Sequence, residues 1–143
     1  MITPSQTIGP FFERALIREG EHVLGSGQLE LRGRVLDGDG QPVADALVEV
    51  WDGEHFGRVG TDDEGRYRFG LDPVPHLVVT VFARGLLNHL STRVCFTPES
   101  VPEQVPAARR GTLLARRSGA GWEWDMVLQG PPERETVFFA YQR

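Results

Sequence analysis

The sequence predicts an all-β sandwich forming a single domain, preceded by an extended N-terminal arm. Two observations carry the prediction. Short runs of alternating apolar and polar residues recur along the chain, and clusters of Gly, Asp and Pro separate them at regular intervals. The length of 143 residues fits one domain with a real core. No internal repeat, low-complexity tract or domain boundary interrupts it, so residues 1–27 read as arm and connector and 28–143 as the sandwich.

The arm opens with TPSQTIGPFF at positions 3–12. Pro4 and Pro10 fix φ and bias the preceding residue away from helix. Ile8, Phe11 and Phe12 are side chains that an arm in water has no use for, so the segment reads as one laid across a surface. Glu13–Gly20 fits one helical turn or a loop, and Gly25-Ser26-Gly27 ends the connector.

Gln28–Leu36 then alternates Leu29, Leu31, Gly33 and Val35 with Glu30, Arg32 and Arg34, the pattern of a half-buried strand. Asp37-Gly38-Asp39-Gly40 with Pro42 is a turn. Ala46–Trp51 is a second strand. Asp62-Asp63-Glu64-Gly65 between 58–61 and 66–69 reads as a hairpin. His76–Phe82 is a nearly continuous apolar run and the most buried-looking strand, and Ser91–Phe96 follows it. After a loop at Pro102–Pro106, Thr112–Arg116, Trp122–Leu128 and Thr136–Tyr141 read as the closing strands.

Composition narrows the function classes. The formal net charge of −5 does not suggest a phosphate-backbone partner. The single cysteine, Cys95, excludes an intrachain disulfide and lies in an apolar run, so a buried structural thiol in a reducing, cytoplasmic setting is expected. No apolar stretch approaches membrane-spanning length. Nucleophile elbows, phosphate-cradling loops, dinucleotide fingerprints and EF-hand loops are all missing. Arg109-Arg110 and Arg116-Arg117 read as interface or surface salt-bridge groups. Tyr67 reads as a core aromatic, His76 as a strand residue, and His22, His55 and His89 are scattered. Arg84, at the end of the apolar strand and before Gly85, reads on pattern alone as a salt bridge capping the strand.

Four segments resemble, in order, the alpha chains of the protocatechuate 3,4-dioxygenases, within the intradiol ring-cleavage family. They are the arm at 3–12, GRVLDGDGQPVADALVEVW at 33–51, VFARGLLNHLSTRVCF at 81–96, and GTLLARR with ETVFF at 111–117 and 135–139. The resemblance implies a transthyretin/immunoglobulin-like β-sandwich of the aromatic-ring dioxygenase type. It implies a hetero-oligomer in which a catalytic beta subunit carries Fe(III). That assembly converts 3,4-dihydroxybenzoate and O₂ to 3-carboxy-cis,cis-muconate, with no catalytic residue and no metal in this chain. It implies substrate contact from Thr7, Gly9, Pro10 and Arg84, lining the partner's pocket, with Arg84 balancing the substrate carboxylate.

The family's iron ligands are two tyrosines and a His-x-His pair. Here His76 keeps the first histidine position and Val78 occupies the second. No tyrosine follows Trp51 before Tyr67, and Leu71-Asp72-Pro73-Val74-Pro75 holds none before the histidine strand. The chain also departs from the family over 52–75, where family members are longer. A stand-alone transthyretin-like binding module without enzymatic role is the alternative reading. A 5-hydroxyisourate-type hydrolase is discounted, because the chain ends Tyr141-Gln142-Arg143 rather than Tyr-Arg-Gly-Ser.

Overall fold

A computed structural model describes residues 16–140. Among these, nine strands form two facing sheets. The first sheet is built around β1 (Leu29–Leu36), flanked antiparallel by β4 (Arg66–Leu71) and parallel by β8 (Gly121–Glu123) and β9 (Met126–Val127), with β7 (Arg116–Ser118) beyond β8. The second runs β3 (Phe56–Gly60), β2 (Leu47–Trp51), β5 (His76–Phe82), β6 (Leu90–Cys95), antiparallel throughout. Alternation places Leu31, Val35, Phe69 and Met126 from one sheet against Val48, Val50, Leu77, Val79 and Val81 from the other, all buried. A satellite cluster of Cys95, Val101, Val105 and Leu113 closes one end. Burial raises the Cys95 thiol above its ordinary pKa, as expected of an inert buried cysteine.

The all-β reading holds, and five local expectations need correction. The Asp62–Gly65 turn does not join a paired hairpin. Its closing bond, Asp62 N–H to the Arg66 carbonyl at 3.1 Å, is made, but β3 then pairs with β2 and β4 with β1, so the turn crosses between sheets. Gly65 at φ +71° makes the crossing possible: a Cβ there would meet the Val35 carbonyl oxygen at 2.6 Å. The 76–82 run is not continuously buried, because its outer residues face away from the core and Val78 is 38% exposed.

The Trp122–Leu128 strand is broken at Trp124-Asp125, where the Asp125 carboxylate accepts the Arg34 N–H at 2.8 Å in place of a ladder carbonyl. Thr112–Arg116 is not one strand: Thr112 and Leu113 end a 3-10 turn, Ala107–Leu113, Leu114 makes an isolated bridge with Cys95, and Arg116 opens β7. Arg110 pins that turn by donating to the carbonyls of Pro98, Val101 and Pro102. The terminal segment 136–140 is not a strand and docks through scattered bonds: Phe139 N–H to the Ser91 carbonyl, Thr136 N–H to the Val127 carbonyl with Val127 N–H returning to the Thr136 hydroxyl, and the Thr92 hydroxyl to the Val137 carbonyl; Tyr141 lies outside the described residues.

The connector ties the sheets together. The Glu21 carbonyl accepts from Arg58 N–H on β3, the His22 carbonyl accepts from Gly70 N–H on β4, and Leu24 N–H donates to the Gly70 carbonyl. Leu24, between them, is 1% exposed. No helix among the described residues is long and apolar enough to cross a membrane.

Candidate functional site

The outer face of the second sheet carries the strand where the sequence retains one histidine of an iron-ligand pair. His76 and Val78 project from that face of β5 two residues apart. Val78 pairs with Trp51 on one side and Arg93 on the other. Val78 offers no donor atom. Burial lowers the His76 imidazole below its ordinary pKa, and the Arg93 charge pushes it the same way. A guanidinium fixed beside a lone imidazole repels a trivalent cation, so these residues do not fit ferric iron. Among the described residues, no three His, Cys, Asp or Glu side chains converge as a metal site.

Tyr67 faces inward from β4, buried, with its hydroxyl donating to the Trp124 carbonyl at 2.5 Å. Burial holds its pKa well above the ordinary phenol value, with Asp125 adding to the effect. It is the core aromatic that the alternation of β4 indicates, and a phenol rather than a tyrosinate.

Arg84 is exposed at the tip of the β5–β6 connection. The Leu86 N–H closes a turn on the Ala83 carbonyl at 3.2 Å, and Gly85 at φ +85° takes the position that favours glycine. Behind the tip the Phe82 and His89 rings stack at 5.1 Å. Leu87, three residues on from Arg84, is fully exposed. The turn thus presents a guanidinium and a leucine outward from a strand end buried at Val81 and Ala83. Thr7, Gly9 and Pro10 lie outside the described residues.

Two features of this region escape a pattern reading. One is a row across three strands, Phe56, Trp51 and Val78, in direct register and 47%, 43% and 38% exposed. Each looks like ordinary strand filling until the register aligns them on the outside. The other is the β2–β3 turn. The Asp52 carboxylate accepts the N–H groups of Glu54 and His55 and lies 3.0 Å from His55 Nδ1. Burial alone would raise the Asp52 pKa, but these hydrogen bonds outweigh it and hold it below the ordinary value. His55 is raised, chiefly by the same carboxylate. The signal available was Asp-Gly-x-His, with Gly53 at φ +106°.

The family described as carboxypeptidase regulatory-like domain matches residues 30–105. The protocatechuate 3,4-dioxygenase alpha chain of Burkholderia cepacia is 34% identical over 197 aligned positions, spanning 96% of this chain and 96% of that protein. The chain belongs to the protocatechuate 3,4-dioxygenase alpha-chain family, built on a carboxypeptidase regulatory-like domain. The beta chain of the same name from Burkholderia cepacia is 26% identical, over 88% of this chain and 75% of that one, so the likeness is weaker and shorter than to the alpha chain. Among solved structures, 3-chlorocatechol 1,2-dioxygenase from Rhodococcus opacus 1CP matches with a TM-score of 0.55 at 20% identity, over 69% of this chain and 58% of that one, a likeness of fold. The alpha-chain alignment runs longer than the 143 residues here, so this member of the family lacks insertions that its relative carries. End-to-end similarity to an enzyme subunit does not favour the stand-alone binding module.

Proposed function

We propose that this chain is the iron-free alpha subunit of a protocatechuate 3,4-dioxygenase, assembled with a catalytic beta chain that holds Fe(III) and opens the ring of 3,4-dihydroxybenzoate with O₂. The observation that carries the reading is the 34% identity spanning 96% of both this chain and the alpha-chain relative. Val78 and Arg93, standing where a metal site would need a donor and an absence of positive charge, support placing the iron on the partner.

This chain's contribution is a wall of the substrate pocket and a positive charge. Arg84 faces the substrate carboxylate, and Thr7, Gly9 and Pro10 line the same pocket from the arm. A carboxylate leaving water needs a compensating charge, and a hydrogen bond to a charged group contributes about 1.5–3 kcal/mol. A guanidinium suits the task because it stays charged and presents a planar fork. The exposed turn at Ala83–Leu86 sets Arg84 on the surface, where a partner subunit can reach it.

The test is steady-state kinetics of the αβ complex with Arg84→Ala. KM for protocatechuate rises about tenfold or more, since about 1.4 kcal/mol is a factor of ten. Arg84→Lys recovers part of the loss, and turnover of unsubstituted catechol changes much less. Equal losses on both substrates would return Arg84 to a structural role.

A further inference from the structure

The outer face of the first sheet carries a ladder of like charges that the fold does not require. Leu31, Val35, Tyr67 and Phe69 are buried, so Arg32 and Arg34 of β1 and Arg66 and Arg68 of β4 point the other way. Register sets Arg32 directly opposite Arg68, and Arg34 directly opposite Arg66. The Val35 N–H donates to the Gly65 carbonyl at 2.8 Å. Both arginine pairs therefore take the closer, non-hydrogen-bonded positions, with Cα atoms about 4.5 Å apart. Like charges directly opposite one another weaken a sheet. Arg116 adds a fifth guanidinium on the same face, one strand beyond Glu123. In a chain of formal net charge −5, five arginines here stand against the carboxylates of Glu30, Glu123 and Asp125.

Those carboxylates hold the ladder loosely. Arg32 lies 4.0 Å from Glu123, Arg34 3.6 Å from Asp125 and Arg68 3.8 Å from Glu30, while Glu123 is shared with Arg116 at 3.6 Å. All four contacts exceed hydrogen-bond length; Arg58 and Glu49 on the other sheet meet at 2.6 Å. Arg66 pairs with Glu64 inside its own turn. By register Glu123 lies on the far side of β1 from β4, and Glu30 lies one row along the strand. The four ladder side chains remain more than half exposed. With Thr61 and His22 they line a cleft of about 730 Å³, within the size range of small-molecule sites. Asp62, on the same cleft, spends its Oδ1 on the N–H groups of Glu64 and Arg66.

We propose that this cleft is an anion site for a small molecule bearing two or three carboxylates, held by the Arg32–Arg68 and Arg34–Arg66 pairs. A planar guanidinium grips a carboxylate through two parallel hydrogen bonds. The two rows stand two residues apart along each strand, about 7 Å. One carboxylate therefore fits each arginine pair, and a ligand with two spans both rows. A molecule with a single carboxylate meets one row only. The anion also relieves the repulsion between the guanidiniums that flank it, which is why the ladder costs the sheet least when the cleft is filled. The reaction proposed above turns an acid with one carboxylate into a product with three. On that reading the ring-opened product is the ligand of this class that the assembly itself supplies; the anion site does not depend on it.

The experiment is isothermal titration calorimetry on the full-length chain without a beta chain, at low ionic strength, with 3-carboxy-cis,cis-muconate, citrate and protocatechuate as probes. At least one tricarboxylate binds tenfold or more tighter than protocatechuate, and Arg66→Gln/Arg68→Gln weakens that binding at least tenfold. Thermal melting without a probe leaves the double variant at or above the native Tm, because like charges have been removed. Arg116→Gln, two strands from Arg32 on the same face, keeps the native affinity. Tighter binding of the ring-opened product than of citrate assigns the ligand to the reaction, and equal or tighter binding of citrate assigns it to carboxylates from elsewhere. Tricarboxylate binding no tighter than that of protocatechuate overturns the proposal. So does binding that survives the double variant, or an equal loss in Arg116→Gln, which would make it a general effect of charge. A native chain that binds neither tricarboxylate, with a double variant that melts lower, reduces the ladder to surface ion pairs. No beta chain is present and Arg84 is untouched, so the site fails or holds independently of the Arg84 kinetics.

Discussion

At the scale of the residue, Gly33 is fixed by the Trp124 backbone in the break between β8 and β9. A Cβ at this position would run into the Trp124 carbonyl oxygen and lie 2.8 Å from the Tyr67 hydroxyl, the two atoms that bond each other. Gly33→Ala therefore pushes β1 off β8 and breaks that bond. The expected cost is about 1–3 kcal/mol, read as a lower midpoint in chemical denaturation.

The Asp52–His55 pair gives a pH dependence whose sign is fixed by the two shifts. His55 has a folded pKa above its unfolded 6.5, so its stabilising contribution is complete below 6.5 and lost as pH rises through the folded value. Asp52 has a folded pKa below 3.8, so its contribution is complete above 3.8 and lost as pH falls through the folded value. The turn is firmest between these limits. His76, lowered by burial, acts with the opposite sign, costing stability as pH falls below 6.5. The measurement is the NMR titration of His55 alongside denaturation between about pH 5 and 8. Asp52→Asn brings the His55 midpoint down towards 6.5 and removes this pair's share of the slope. An unmoved His55 midpoint would separate the two residues.

At the scale of the element, the segment Glu21–Leu24 is the link between the two sheets on one side. Its main chain bonds β3 and β4, and Leu24 enters the core between them. Leu24→Ala leaves a cavity where the sheets diverge and costs about 2–5 kcal/mol, seen as a drop in Tm, with hydrogen exchange faster first at Arg58 and Gly70.

The same element marks how far pattern reading reaches. β1 and β2 were legible because period-2 alternation along Gln28–Leu36 and Ala46–Trp51 separates two faces, whereas β5 was legible as a strand only through its apolar run, which hides the outward face that Val78 occupies. The Asp62–Gly65 turn was legible as a turn and not as a crossing, because its residues specify backbone dihedrals and say nothing of which strand each arm will pair with. The 122–128 run was read through its apolar content, which does not reveal that the Asp125 carboxylate stands in for a ladder carbonyl. Of the candidate site, the missing second histidine was visible in Val78. Arg93 beside it was not, because the β5–β6 register has to be known first.

At the scale of the whole molecule, the outer row of Phe56, Trp51 and Val78 marks a contiguous apolar strip on a monomer surface, of the kind that partners cover. Co-expression with a catalytic beta chain yields a heteromer in which Trp51 emission shifts to the blue and resists quenching. The expected outcome for the chain purified alone is no stoichiometric ferric iron by metal analysis and no ring opening in a catechol assay. A visible absorption band from bound iron in the lone chain, abolished by Tyr67→Phe, would refute the assignment of the metal to the partner. The architecture also sets an order of events during synthesis. β1 lies at the heart of its sheet, yet its parallel neighbours β8 and β9 are encoded roughly ninety residues later. Loop closure over that separation is slow, and a ribosome adds about 5–20 residues per second. For several seconds the nascent chain therefore carries a finished second sheet and a first sheet with one raw edge. The edge of β1 is closed only when β8 and β9, encoded after the whole of the second sheet, have joined it.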